Sequence, residues 1–256
     1  DHSIAIGGST DGNMIPGSPY DPGTRLYAAQ SGGTDCFIVK LSQFGEYLGA
    51  FQFGSAADDW VASVAIGGDG SIYAGIVRGE QMLNRPEAGR LDSMIVKFTA
   101  DLAFVWGGLL GSEGNDILTS MVLYKGPDGV ERLVAAGTTD WHFFRPVNRG
   151  GTDVFVTIYS TGQYDNREGG WQSGSDDDDE VTALAVGSDG SFYVAGHTRG
   201  NIYLDWVPED EPDLKPGPGG TWDCYVMRLS GGLEWQWSAM FGSFHDDYVH
   251  GLAFLP

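Results

Sequence analysis

One six-residue phrase occurs four times and fixes what this chain can fold into. It reads Gly54-Ser55-Ala56-Ala57-Asp58-Asp59, Gly111-Ser112-Glu113-Gly114-Asn115-Asp116, Gly174-Ser175-Asp176-Asp177-Asp178-Asp179 and Gly242-Ser243-Phe244-His245-Asp246-Asp247, and the copies align without a gap. An apolar segment of strand length follows each copy, at residues 61–66, 118–123, 181–186 and 249–254. The closing aspartates stand 57, 63 and 68 residues apart. A period of that size marks a chain built from repeated supersecondary units.

The units are made of strands. No long run places apolar residues at helical spacing, whereas short apolar runs bounded by Gly, Asp and Ser recur throughout. The 40 Gly and 11 Pro among 256 residues fit many tight turns. Each unit has four strands in the order A, B, C, D, and the phrase lies between B and C. In the first unit they fall at 35–41, 47–53, 61–66 and 71–77, and the Asp69-Gly70 pair between C and D is a hairpin signal. Asp128-Gly129 and Asp189-Gly190 repeat that signal.

The fourth unit ends without a strand D, while residues 3–10 form a lone strand of the D type. The two are complementary: the N-terminal strand joining the C-terminal blade closes a ring and leaves no unpaired sheet edge. The expected fold is all-β, a single four-bladed β-propeller over 1–256 with four antiparallel strands per blade. The expected blades are 33–78, 91–139, 151–199 and 221–256 completed by 3–10.

Three segments carry a resemblance to a known family. They are Gly32-Gly33-Thr34-Asp35-Cys36-Phe37-Ile38-Val39-Lys40-Leu41, then Phe53-Gly54-Ser55 with Asp58-Asp59, then Val61-Ala62-Ser63-Val64-Ala65-Ile66-Gly67-Gly68-Asp69-Gly70-Ser71-Ile72-Tyr73. Together they resemble the SBBP-type β-propeller repeat. Residues 219–229 repeat the opening with one inserted residue. The likeness covers nearly the whole chain apart from the connections between units. It implies a propeller, and an extracellular or surface-exposed microbial scaffold, without implying a particular chemistry. That family's name refers to seven blades, and four are present here.

The charge narrows the partners. With 35 acidic and 14 basic residues the net charge is −21, which opposes nucleic acid and anionic membrane surfaces and attracts cations such as Ca²⁺. No apolar stretch approaches the roughly 20 residues needed to span a bilayer. No signal peptide is visible at Asp1.

Connections D-to-A and loops B-to-C leave the same end of each sheet, so that end collects the acidic phrases and the long connections 11–31, 79–91, 139–152 and 199–222. Long loops on a rigid scaffold are where function resides. Two sets of aspartates recur there: Asp35, Asp92, Asp153 and Asp223 at the start of strand A, and Asp59, Asp116, Asp179 and Asp247 before strand C. Recurrence in every unit favours a structural role, with carboxylates accepting loop N–H groups. The other reading is Ca²⁺ coordination, best placed at Asp176, Asp177, Asp178 and Asp179, although that run lacks the spacing of an EF-hand loop. No other cofactor is expected. Cys36 and Cys224 occupy equivalent positions in units one and four, as two buried thiols or as a disulfide. Trp141, Phe143, Phe144, Tyr203 and Trp206 lie in long connections and are the expected partner contacts.

No catalytic triad, phosphate loop or nucleotide fingerprint is present, and a glycosidase pair cannot be picked out of so many acids. The first expectation is a non-enzymatic extracellular module, a structural or adhesive subunit that binds a protein partner or associates with itself into a filament. A glycan-binding lectin is the second, with Trp141, Phe143 or Trp206 as stacking platforms, and a polysaccharide-active enzyme the third.

Overall fold

A computed structural model describes residues 3–12, 33–79, 91–144, 148–162, 167–202 and 221–253. All regular structure in it is β, as the repeat predicts. Fifteen strands form four antiparallel, blade-like sheets, three with four strands and one with three. The first sheet contains β1 (Ile4–Thr10), β2 (Asp35–Leu41) and β3 (Tyr47–Phe53). The second runs β4 (Asp59–Ile66), β5 (Ile72–Arg78), β6 (Asp92–Phe98), β7 (Phe104–Leu110). The third contains β8 (Asp116–Lys125), β9 (Glu131–Thr139), β10 (Asp153–Ser160) and β11 (Arg167–Ser173). The fourth contains β12 (Asp179–Val186), β13 (Phe192–Thr198), β14 (Asp223–Leu229) and β15 (Trp235–Phe241). Strands neighbour one another in chain order in every sheet.

This grouping corrects the expected blade limits. Strand D pairs with the strand A that follows it across the long connection: Ile72↔Phe98 through Arg78↔Asp92, and Phe192↔Leu229 through Thr198↔Asp223. A sheet is therefore C-D-A-B, and the acidic phrase passes from one sheet to the next rather than lying inside one. The N-terminal strand obeys the same rule. It pairs with β2, Ile4↔Leu41 through Thr10↔Asp35, so it belongs to the first sheet instead of the last unit. The expected strand at 249–254 is not seen: residues 246–253 form no strand, and Phe254 lies outside the described residues.

The chain divides into two compact units, one of residues 1–118 with 163–165 and the other of 119–162 with 166–256. In the first, Cys36, Ile38, Phe53, Ile76, Val96 and Phe98 form a core between two sheets. The sheets approach so closely that a Cβ on Gly7 would strike Val61 and Val64. In the second, Val134, Val156, Trp171, Val194, Tyr225 and Met227 do the same. Burial of such side chains contributes about 1.5–3 kcal/mol each and is what holds the sheets face to face.

The turns set the ends of the sheets. Gly70, Gly129 and Gly190 have φ of 81°, 75° and 80°, the left-handed conformation that the Asp-Gly turn demands. Among the A-to-B turns, Gly45 has φ 79°, but the equivalent Leu102 and Leu233 hold φ of 62° and 63°. Both leucines are buried in their cores, and that packing offsets the strained backbone.

Candidate functional site

Every copy of the phrase folds by the same bonds. The closing aspartate turns back so that its Oδ2 accepts the N–H of the serine four residues earlier: Asp59 from Ser55, Asp116 from Ser112, Asp179 from Ser175, Asp247 from Ser243. The serine Oγ accepts the N–H two residues on, at 3.2 Å in all four copies. The penultimate residue reaches the segment ahead of strand A. Thr34 N donates to Asp58 Oδ1 (2.8 Å), Leu91 N to Asn115 Oδ1 (3.0 Å), Thr152 N to Asp178 Oδ1 (3.3 Å) and Thr221 N to Asp246 Oδ1 (3.1 Å). A backbone bond beside each seals the join: Asp59 N to Thr34 O, Asp116 N to Leu91 O, Asp179 N to Thr152 O and Asp247 N to Trp222 O, all 2.8 Å. In the first three copies the phrase latches the segment ahead of strand A to the start of the strand C that follows; in the fourth it ties the segment ahead of β14 to Asp246 and Asp247, after which residues 248–253 form no strand. Asp59, Asp116, Asp179 and Asp247 carry these bonds.

The strand A aspartates stand beside these latches, buried. Three of the four have a side-chain partner drawn from a different strand. Gln52 Nε2 donates to Asp35 Oδ2 (3.1 Å), Arg78 Nη2 to Asp92 Oδ2 (3.2 Å) and Gln172 Nε2 to Asp153 Oδ2 (2.9 Å). In the third sheet Gln172 also receives Phe143 N and Phe144 N on its Oε1, so one amide orders both the carboxylate and the following connection. The phrase glycines make room for this. A Cβ on Gly174 would collide with Asp153 Oδ1 and Asp179 Oδ2, and one on Gly242 with Asp223 Oδ1 and Asp247 Oδ2. Burial raises the pKa of Asp59 and of Asp153, and lifts that of Asp179 to about 7. Burial, and then the negative charge of Asp247, raises that of Asp223.

The proposed Ca²⁺ run does not gather as a ligand set. Asp176 is exposed; Asp178 is taken up by Thr152 and by Arg199 (3.1 Å); Asp179 is turned onto Ser175. Among the described residues no three His, Cys, Asp or Glu side chains cluster as metal ligands. Cys36 and Cys224 are both free and buried, so the disulfide expected as one alternative is not formed. In the strand registers Cys36 stands opposite Phe53 and Cys224 opposite Phe241.

Aromatic side chains crowd the same end of the sheets in the second unit. Phe143 lies 4.4 Å from Phe144 and 4.8 Å from Phe155, with the Arg167 guanidinium over both connection rings, so these two residues close over the sheet. Trp141 remains 43% exposed. Tyr203 and Trp206 lie outside the described residues. A second group was not anticipated. His197, Trp222 and Tyr248 meet with ring centroids 4.9–6.4 Å apart, the Arg199 guanidinium stands 5.2 Å over Trp222, and His197 Nε2 is 3.0 Å from Glu180 Oε2. Tyr248 is 48% exposed. The signal for this group was the inserted residue of the fourth unit, which is Trp222.

Strand order, latches and buried carboxylates define an all-β chain of four blade-like antiparallel sheets. No known protein family matches it. Over 188 residues, 68% of its length, it is 28% identical to Regulatory protein FlaEY of Caulobacter vibrioides, of which it spans only 18%. Among solved structures it is similar to the Neurospora crassa Pan2 WD40 domain (TM-score 0.44, 11% identity, 84% of this chain and 48% of that one). It is also similar to a Bacteroides caccae protein of unknown function (TM-score 0.29, 9% identity, 84% and 77%). Among the described residues no helix is long and apolar enough to cross a membrane.

Proposed function

We propose that this chain is a non-enzymatic protein-binding module of an extracellular or cell-surface assembly, and that it binds through the latch-bearing end of its sheets. The observation that carries this is the His197–Trp222–Tyr248 group with its neighbours Arg199 and Glu180. Aromatic rings with an Arg beside exposed acids form the composition that anchors protein interfaces. Trp222 is the one residue by which the fourth unit exceeds the others at that position, so it is not required by the repeat. A sugar platform is less well supported. The His197 ring stands at 80° to both Trp222 and Tyr248, and Arg199 covers one face of Trp222, which leaves no open pair of flat faces for stacking. Catalysis has less support still, because the buried carboxylates Asp35, Asp59, Asp92, Asp116, Asp153 and Asp179 at this end are engaged by serine, Gln and Arg donors of the scaffold. The extracellular setting and membership in the SBBP-type family rest on the sequence resemblance and the acidity.

The partner favoured here is a further copy of the chain, since two unlike ends of a sheet stack suit head-to-tail contact. Sedimentation velocity over a concentration series tests it. The wild type is expected to form a ladder of oligomers that Tyr248→Ala shortens and Trp222→Ala abolishes. Monomers throughout, together with a glycan-array signal that both variants lose, would transfer the site to the lectin reading.

A further inference from the structure

Three of the four sheets carry a strand C, and the first does not. β4 and β12 run beside strand D along its whole length: Asp59↔Arg78 through Ile66↔Ile72, and Asp179↔Thr198 through Val186↔Phe192. Both ladders bulge at the same place, at Ala62 in one and Thr182 in the other. In the third sheet β8 likewise lies beside β9. Strand D is then an inner strand, and all 7 residues of β5 are buried. β1 is the strand D of the first sheet, with Thr10 opposite Asp35 as Arg78 is opposite Asp92. It pairs with β2 on one side and, among the described residues, with no strand on the other. None of its residues is buried, and Ile4 and Ile6 are 46% and 45% exposed. An open row of strand N–H and C=O groups is a template for another strand.

The matching strand exists but is not used within the copy. The fourth phrase makes its latch, with Asp247 N donating to Trp222 O (2.8 Å) and Asp247 Oδ2 accepting Ser243 N. The chain leaves that latch as Tyr248-Val249-His250-Gly251-Leu252-Ala253, where the first copy continues Trp60-Val61-Ala62-Ser63-Val64-Ala65. Residues 248–253 nevertheless form no strand, and Tyr248, His250, Gly251 and Ala253 are exposed.

We propose that residues 247–253 of one copy of this chain add to β1 of another copy as its strand C. This rests on the reading that the partner is a further copy, and it names the joint. The register follows from β4 on β5: Asp247 opposite Thr10, Tyr248 opposite Ser9, Val249 opposite Gly8, Gly251 opposite Gly7, Leu252 opposite Ile6 and Ala253 opposite Ala5, with His250 at the bulge. Leu252 then meets the exposed Ile6, and Gly7 and Gly8 leave room for the bulged stretch. Main-chain bonds supply the affinity of such an added strand, and side-chain alternation fixes its register. Within one copy neither element meets a strand among the described residues, so the pairing is made between copies. Donor and acceptor are different surfaces, so the contact is heterologous and each joined copy still offers one of them. Trp222, whose carbonyl holds Asp247, stands at the root of the donor segment.

The test uses the full chain. Two preparations, Ala5→Cys and Ala253→Cys, are mixed under mild oxidation and run on a non-reducing gel. A disulfide-linked dimer is expected in the mixture and in neither preparation alone, since the native thiols of Cys36 and Cys224 are buried. Ala5→Cys mixed with Asp176→Cys should give none. A chain carrying both Ala5→Cys and Ala253→Cys should give a ladder of linked chains. Gly251→Pro with Leu252→Pro tests the backbone bonds. Neighbouring strand residues aim their N–H groups at opposite edges, so one of the two prolines must face β1. Because residues 248–253 form no strand within the copy, this variant should melt within about 2 °C of wild type, while its oligomers form about tenfold more weakly in sedimentation velocity. Oligomers that withstand both prolines and give no cross-link, yet vanish in Trp222→Ala, would overturn the strand joint and leave self-association standing. A doubly substituted chain that links only within itself would overturn the joint as well. Monomers at every concentration, with no cross-link, would overturn both.

Discussion

Aspartate does opposite work at the two ends of these sheets. At the C-to-D turns, Asp69, Asp128 and Asp189 each accept the N–H two residues on, from Ser71, Val130 and Ser191, at 2.9–3.0 Å. Their carboxyls are held below the usual range, by the Ser71 N–H for Asp69, by the Arg132 guanidinium for Asp128 and by the Ser191 N–H for Asp189. At the latch end, Asp59, Asp153, Asp179 and Asp223 are raised, with burial the leading cause at each. Backbone N–H groups donate at both ends, and guanidinium groups join them at Asp128 and Asp189. What differs is water: the turn carboxylates keep it and the latch carboxylates lose it. Sequence identity of the residue therefore says nothing about its ionisation until its depth in the sheet is known.

The comparison can be broken most forcefully at Arg78. Arg78→Leu removes the guanidinium that donates to the buried Asp92, and should lower the unfolding free energy by about 3–5 kcal/mol in denaturant melts. The double change Arg78→Thr with Leu109→Gln copies the first and third sheets and should recover most of that loss. If it recovers none, the two arrangements are not equivalent. Next in size is Gly174→Ala, which forces apart Asp153 and Asp179 and should cost about 1–3 kcal/mol by the same measurement, with Gly129→Ala at the other end showing only backbone strain.

The pH dependence of melting sharpens the contrast further. Asp59 binds its proton more tightly in the folded chain than in the unfolded one. Its stabilising contribution is present at low pH and is lost as pH rises from about 4 through the raised folded value. Asp69 behaves in reverse: its contribution is complete above about 4 and is lost as pH falls through the depressed folded value. Asp59→Asn should flatten the alkaline limb of a melting-temperature profile and Asp69→Asn the acid limb. The smallest effect expected is that of Asp189→Ala, an exposed turn carboxylate bonded to Arg228, which should leave the melting temperature within about 2 °C of wild type.

The strands were legible because turn chemistry and apolar runs are local, and the Asp-Gly turns at 69, 128 and 189 marked the hairpins. The phase of the repeat was not. A string of A-B-C-D units spells the same letters as a string of C-D-A-B units, and the pairing of each strand D with the strand A that follows it, as Arg78 with Asp92, tells them apart. The latch aspartates stood out in the sequence because they recur. Their neutralising partners did not, since Gln52, Arg78 and Gln172 lie at two strand positions and are two residue types. The Trp222 group required His197 on β13, Trp222 ahead of β14 and Tyr248 beyond β15, which no spacing in the chain brings together.

The latch bonds span 24, 24, 26 and 25 residues. Loop-closure entropy depends on length only logarithmically, so these four closures cost nearly the same. No copy is a privileged nucleus by that criterion, and each can fasten as soon as its own two dozen residues have left the ribosome. A gene segment that encodes one copy thus carries its own fastening, which is the property that lets such arrays lengthen by duplication without inventing a new joint.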